Sequence, residues 1–330
     1  MKNTVPAHWE LATKKRLNEF ILDQNTTVRL IHDEDPEIRC DRLGSVCWFY
    51  CYRKISAEDY AAMADLSNQV GSLHWCAHFM ENQDSNPTRP VRYSNNLPEE
   101  WVASEEKVNY YFRKSQGKSP GLFLDQRANR RWLRKRSQGL RVLNLFSYTG
   151  GFSLNSALGR AKEVVSVDQN RNFLKWSKKN FELNNLQVCD WEFWAADVRY
   201  FLQGCIRRMR TFDIIICDPP SFSRSSNGLF RIQHDLVDIL QQIDEILAPN
   251  GQLLLCTNYE GWDKNSLKKY AREKLPKDRY CNIDLPESDS DTTSTSLYSG
   301  LKSIALQKKA GWNHSSSASL TSRVRNSLTA

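Results

Sequence analysis

The stretch "FDIIICDPP", residues 212–220, sets four consecutive apolar side chains, Ile214 to Cys217, between two aspartates and then stops at two prolines. Unbroken apolarity, with no polar alternation, marks a strand buried on both faces. Proline donates no amide hydrogen and confines the residue before it to extended conformations. The strand therefore ends at Asp218, and Pro219-Pro220 forms a rigid exit from it. A carboxylate held at the end of a buried strand is either a turn residue or a group placed for chemistry.

The same design repeats outward from this strand. "VLNLFS" (142–147), "EVVSVD" (163–168) and "EFWAAD" (192–197) read as further strands, and "PNGQLLLCTN" (249–258) as a turn at Pro249–Gly251 followed by a fifth strand. Helical stretches lie between them: one after "YTGGF" to about Gly159, "NFLKWSKKNFELNN", and one carrying Phe201, Leu202 and Ile206. In "IQHDLVDILQQIDEIL", apolar residues at Ile232, Leu236, Ile239, Leu240, Ile243 and Leu247 follow the helical period. A helix at 263–274 and strands near "RYCNIDL" and "LKSIALQ" complete the pattern. Apolar strands that alternate with helices predict an α/β fold, a Rossmann-like sheet covered on both faces. Its ligand would bind at the carboxyl ends of the strands, where the strand order reverses.

Upstream, "TVRLIH" and "VCWFYCY" read as strands, and "SAEDYAAMADLSNQV" as a helix capped by Ser56. "ENQDSNPTRP", 81–90, is loop-like. We expect a small α+β domain over 1–117, the larger domain over 118–308 and a Ser-rich disordered tail over 309–330.

The chain has 330 residues, 40% apolar and 25% charged, which suits a globular protein with a sizeable core. No apolar run approaches the ~18 residues of a membrane span, so no membrane partner is expected. The N-terminus lacks the apolar segment of a secretory signal. Nine scattered cysteines without a CxxC pair suggest reduced thiols in the cytoplasm, with neither a disulfide frame nor a metal site. The net charge of +8 is compatible with a polyanion. Nine of the cations lie between Lys114 and Arg141, beside one acid, Asp125. "RANRRWLRKRSQGLR" would gather several on one helix, either as a solvated face or as a face for nucleic-acid phosphates through Arg131, Arg134 and Arg136.

Three strands end in aspartates. After the first strand, Gly150 and Gly151 allow a sharp turn and close approach to a ligand, with helix amides facing it. Asp168 ends the second strand, where a carboxylate can accept both hydroxyls of a ribose. Asp197 ends the third and could face an adenine edge. Helix capping explains either one singly. With Asp218 they outline a nucleoside-shaped cleft with one strand end left for chemistry.

The ordered set "LNLFSYTG", "SVDQN", "ADVRYFL" and "DPPSFSRS", with "GLFLDQRANRR" (121–131) ahead of it, resembles class I S-adenosylmethionine-dependent methyltransferases. It is most similar to bacterial 23S rRNA base methyltransferases of the RlmI/RlmK type. The resemblance covers 118–308 well and the upstream residues weakly. It implies a seven-stranded methyltransferase sheet with S-adenosylmethionine as cofactor. It implies that Phe146, Tyr148, Thr149 and Gly150 line the methionine and ribose part. Asp168 would hold the ribose and Asp197 the adenine side, while Asp218, Pro219, Pro220, Ser221 and Phe222 border the sulfonium and the target base. Phe123, Asp125 and Arg127 would close the far side, with Arg127 facing the methionine carboxylate. The implied partner is RNA, expected to be large-subunit rRNA. Oligomeric state is left open.

The resemblance leaves several target atoms. Guanine nitrogen-7 has its own lone pair and needs only orientation and exclusion of water. "DPPSFSRS" and "TNYEGW" are similar to that branch, although Tyr259-Glu260 stands where it has two cations. Cytosine carbon-5 needs a thiolate to add at carbon-6. Aligned on the fifth strand, the position of that thiolate holds Asn258, and Cys256 lies two residues early on the same strand face. The guanine exocyclic amine is a third option, with Asp218 accepting its hydrogen bonds. The resemblance also implies an extra RNA-binding domain in one branch and a fused second methyltransferase in the other, and the chain is too short for either. A nicotinamide oxidoreductase on the same sheet is disfavoured by the absence of GxGxxG, and a catalytically dead RNA-binding module is the remaining alternative. We expect an RNA base methyltransferase acting on guanine nitrogen-7, with cytosine carbon-5 the runner-up.

Overall fold

The computed structural model describes residues 4–20, 23–80, 92–114, 119–225, 228–294 and 300–310. The loop expected at 81–90 lies outside these residues, as does the expected tail apart from Lys309 and Ala310.

The N-terminal part begins with α1 (Ala7–Glu19) and builds a sheet from β1 (Thr27–Ile31), β2 (Ile38–Leu43), β3 (Val46–Cys51), β4 (His74–Phe79) and β5 (Arg92–Tyr93), in the order β1-β2-β3-β4-β5. Helix α2 (Ala57–Gln69) crosses between the parallel strands β3 and β4. Ser56 caps it as expected: the Asp59 amide donates to Ser56 Oγ (3.2 Å) and the Ser56 amide to Asp59 Oδ2 (2.8 Å). One sheet face packs with Trp9 of α1 and Met63 and Leu66 of α2 into a core around Cys40 and Phe49.

A hairpin follows, β6 (Glu100–Glu105) and β7 (Val108–Arg113), and leads to α3 (Arg127–Arg136). The open edge of β7 is paired by the helix next to it in space, α5 of the second sheet, Arg171–Leu183, and the residue that ends it. Asn180 Oδ1 accepts from the Tyr111 amide and Asn184 Oδ1 from the Asn109 amide, both at 2.9 Å, while Trp176 Nε1 donates to the Tyr111 carbonyl at 3.0 Å. An exposed ladder edge is thereby satisfied by amide side chains.

The larger sheet contains β8 (Arg141–Leu145), β9 (Glu163–Asp168), β10 (Phe193–Ala195), β11 (Phe212–Cys217), β14 (Leu247–Thr257), β15 (Tyr280–Ile283) and β16 (Lys302–Lys308). The hairpin strands β12 (Phe222–Ser225) and β13 (Gly228–Arg231) fall between β11 and β14. The order is β10-β9-β8-β11-β14-β16-β15, with β16 antiparallel to both of its neighbours and the first five strands parallel. This is the Rossmann-like sheet that the apolar runs predict, with the seven strands that the family resemblance implies. The covering helices are α4 (Gly151–Leu158), α5, α6 (Val198–Arg207), α7 (Ile232–Ile246) and α8 (Lys264–Lys274). The turn expected at Pro249–Gly251 lies inside β14, where the register against β11 jumps from Leu247 to Gln252. Among the described residues, no helix is long and apolar enough to cross a membrane.

Buried ion pairs join the two sheets. Arg127 Nη1 donates to both oxygens of Asp291 (2.9 and 3.0 Å), and Nη2 donates to the Thr27 carbonyl (3.3 Å). Asp291 is fully buried and also accepts from the Arg29 amide (3.0 Å). Replacing Asp291 with alanine strands a buried guanidinium. It should lower stability by about 3–5 kcal/mol, read from equilibrium urea unfolding; a loss below 1 kcal/mol would refute the clamp.

Candidate active site

Strand order reverses between β8 and β11, and a cavity of about 770 Å³ opens at the carboxyl ends of these strands. The turn from β8 into α4 forms one wall. Its backbone is unusual: Phe146, Tyr148 and Gly150 have φ of 57°, 49° and 79°. Side chains rarely adopt such angles unless surrounding contacts over-determine them. Here Asp168 supplies the contact. Its Oδ2 accepts the Tyr148 amide (2.9 Å) and its Oδ1 the Asn170 amide (2.8 Å). At Gly150 a Cβ would lie 1.9 Å from Ser177 Oγ, so only glycine lets the turn approach α5. Thr149 Oγ1 donates to the Gly121 carbonyl (2.5 Å) and the Tyr148 hydroxyl to the Ser119 carbonyl (3.0 Å). The segment ahead of α3 is thereby fastened across the cavity from Asp168.

The carboxylates have different surroundings. Burial pushes the Asp168 pKa up, and its two amide donors pull against that. Asp197 caps α6, accepting the Arg199 amide (2.8 Å), a Gln169 amide hydrogen (2.9 Å) and the Arg199 guanidinium (3.1 Å). Asp218 accepts a hydrogen bond from Gln126 Nε2 (2.9 Å). Burial, reinforced by nearby Asp125, pushes its pKa up to about 7. Burial also raises Asp125, with Arg29 and Arg130 opposing. No hydrogen-bond donor reaches Asp125 among the described residues.

Phe123, Asp125, Phe146, Tyr148, Thr149, Asp168 and Asp197 border this one cavity, together with Asp218, Pro219, Pro220, Ser221 and Phe222. Gly150 shapes the turn without reaching the wall. Arg127 corrects the expectation that it would face a methionine carboxylate. It does not line the cavity, because its guanidinium is committed to Asp291, Asp289 and the Thr27 carbonyl. Arg130 lines the cavity instead, held by Glu105 at 2.7 and 2.6 Å. Gln126 and Phe173, also on the wall, were not anticipated. Gln126 sits inside "GLFLDQR", which was the available signal, whereas nothing in the sequence around Phe173 distinguishes it from a core residue.

The basic helix is a second correction. Arg131 donates to Glu106 (2.6 Å) and Asp289 (3.0 Å), and Arg134 to Glu106 (3.1 Å). Arg136 lies 4.5 Å over the Trp132 ring. Most of the charge on α3 is neutralised by acids that are distant in sequence, so the helix is not the open cationic face considered above.

Cys256 lies in the core, fully buried, and receives a hydrogen bond from Ser303 Oγ at 3.4 Å. Burial raises its thiol pKa far above the ordinary value, which disfavours a thiolate. Cys217 is likewise buried and raised.

A family described as S-adenosylmethionine-dependent methyltransferase matches residues 57–302. The "Ribosomal RNA large subunit methyltransferase K/L" of Shewanella oneidensis is 44% identical over 140 residues, 42% of this chain and 19% of that protein. Its namesake in Shewanella sp. (strain MR-4) is 38% identical over 169 residues, 50% of this chain and 24% of that protein. The chain thus matches a quarter or less of the length of these relatives. Among solved structures, SMU.776 complexed with SAH superposes with a TM-score of 0.79 at 26% identity, covering 91% of this chain and 80% of that one.

Asp218 is protonated more readily in the folded chain than in the unfolded one, where its pKa is about 3.9. Its ionisation therefore begins to oppose folding above about pH 4 and does so in full only beyond about pH 7. Asp218→Asn should raise stability by roughly 1–3 kcal/mol at pH 8 and leave it unchanged at pH 3.5, measured by urea unfolding at both. Equal effects at the two pH values would exclude a raised pKa.

Proposed function

The chain belongs to the S-adenosylmethionine-dependent methyltransferase family, and from that premise we propose that it methylates a base of large-subunit ribosomal RNA, with guanine nitrogen-7 as the target atom. As a family member it is an enzyme that uses S-adenosylmethionine. That cofactor supplies a methyl group on a sulfonium, open to in-line displacement by a nucleophile.

The residues on the cavity wall fit this group. Gly150 packs the turn against α5, where a Cβ would meet Ser177, and so leaves Phe146, Tyr148 and Thr149 on the cavity wall. Asp168 has lone pairs beyond its two amide bonds and would accept the ribose hydroxyls. Asp197 and the first residue of α6, Val198, would face the adenine. Asp125, with no donor of its own among the described residues, would take the methionine ammonium. Phe146, Tyr148 and Thr149 would cover the ribose and methionine from the β8 side. Residues 218–222 would border the methyl group and the base, with Pro219-Pro220 keeping the Asp218 carboxyl and the neighbouring carbonyls rigid.

The observation that carries the choice of atom is the thiol. No cysteine lines the cavity among the described residues, and Cys256 is enclosed in the core. Carbon-5 methylation of cytosine requires a thiolate that adds to the base. Nitrogen-7 of guanine requires positioning alone. Phe222, 52% exposed at the mouth, offers a ring on which an extruded base can stack. Ser221 Oγ donates to Asn258 Oδ1 (3.0 Å), which leaves the Asn258 amide hydrogens for an acceptor edge such as guanine O6. The K/L relatives point to the same substrate class.

Mass spectrometry of rRNA nucleosides from cells lacking the protein should show 7-methylguanosine reduced and 5-methylcytidine intact; the reverse result would move the target to cytosine. With purified protein, Cys256→Ala should keep wild-type methyl transfer. Asp218→Ala should lower kcat by about 10²-fold or more, in the range of losing one positioned electrostatic group. An inactive Cys256→Ala that still binds S-adenosylhomocysteine would restore the thiolate route.

A further inference from the structure

We propose that Arg39, Tyr50 and Tyr52, on the face of the N-terminal sheet beside the cavity mouth, form a stacking ledge for the single-stranded RNA that flanks the target base. The inference rests on the RNA-methyltransferase reading and says which surface holds the strand.

The β2–β3 register places Arg39 opposite Tyr50 and Asp41 opposite Trp48. These four residues share the face turned away from the core that contains Cys40 and Phe49. The first half of that face is covered, because Trp48 stacks on Trp101 of β6 with ring centroids 6.2 Å apart. Beyond it, Tyr50 is half-buried and Tyr52 is 39% exposed. The Arg39 guanidinium lies 5.3 Å over the Tyr52 ring.

The ledge is continuous with the cavity. Tyr50 packs against the cluster containing Leu122 and Leu124, the two residues that flank Phe123. Phe123 is on the cavity wall and 48% exposed. Arg29 and Arg39 both act on the Asp125 carboxyl inside the cavity. Aromatic rings thus stand on the cavity wall, at Phe222 and Phe123, and on the sheet face that packs beside it, at Tyr50 and Tyr52.

Charge distinguishes this surface from α3. Arg131 and Arg134 are held by Glu106, and the nearby Arg53 is held by both oxygens of Asp59 at 2.7 and 2.8 Å. Arg39 carries no ion pair among the described residues. A guanidinium without a carboxylate, lying over an exposed ring, suits phosphates and base faces without demanding a sequence. A base drawn into the cavity leaves its neighbours unstacked, and Tyr52 and Phe123 can replace the lost stacking.

The test uses the full chain and a fluorescein-labelled uridine oligomer of about ten nucleotides, followed by anisotropy. Tyr52→Ala and Arg39→Ala should each weaken binding by about 5- to 100-fold, the range for one lost stacking partner. Tyr52→Phe should keep affinity within about twofold, because the ring face remains. Arg39→Ala should also reduce the salt dependence of binding by about one counterion. Arg131→Gln/Arg134→Gln should bind as wild type. Calorimetry with S-adenosylhomocysteine should give wild-type affinity for every variant, which separates loss of the ledge from loss of the fold. Wild-type RNA affinity in both Tyr52→Ala and Arg39→Ala would overturn the ledge, and so would a loss at Arg131/Arg134 in their place. If those two ledge variants also methylate rRNA with an unchanged KM, the enzymatic reading stands without the ledge. If the wild-type protein transfers no methyl group to any RNA, the reading itself fails.

Discussion

Arg127 and Asp291 form the contact on which the rest of the site depends. They lie 164 positions apart, and both are buried. Through them the start of α3, the β1 backbone and the segment between β15 and β16 become one unit. Glu105 of the hairpin lies beside the same guanidinium at 3.4 Å and also holds Arg130. Burying that many charges is unfavourable unless each is paired, so the pairs form together or not at all. This cooperativity fixes where Asp125 and Gln126 stand, because they immediately precede Arg127.

The cavity has two sides as a result. The Rossmann-like sheet contributes Asp168, Asp197 and Asp218 from the ends of β9, β10 and β11. The segment ahead of α3 contributes Phe123, Asp125 and Gln126 from the opposite side. Asp218 shows what the pairing does. At its own strand end it would be an ordinary carboxylate. Buried in the assembled cavity and beside Asp125, it has its pKa pushed up to about 7, with the Gln126 hydrogen bond pulling the other way. A carboxyl with such a pKa exchanges its proton near neutral pH.

Charge is redistributed in the same way. The chain is basic by 8 charges, and its densest run of cations lies on α3. That helix turns its cations toward Glu105, Glu106 and Asp289, so the run serves cohesion. Among the described residues Arg39 of β2, where the sequence has no visible cluster, has no ion pair and lies over the Tyr52 ring. Which cations stay unpaired thus follows from which acids the fold brings near them, more than from how many cations a stretch contains.

The sequence by itself determined the Rossmann-like sheet, the order of its strands along the chain and the aspartates that end three of them. These depend on local causes: apolar runs that must be buried, prolines and glycines that must turn, and aspartates placed where strands give way to helices. The family resemblance also set Cys256 two residues before the nucleophile's position, on the same strand face. Tertiary structure alone decided that Arg127 faces Asp291 and not the cavity, that Gln126 reaches Asp218, and that Asn180 and Asn184 close the edge of a hairpin. It alone neutralised the basic helix. Each of these joins groups from 25 to more than 160 positions apart. Composition and period carry no information at that range, since the partner of a buried charge is chosen by the packing of whole elements.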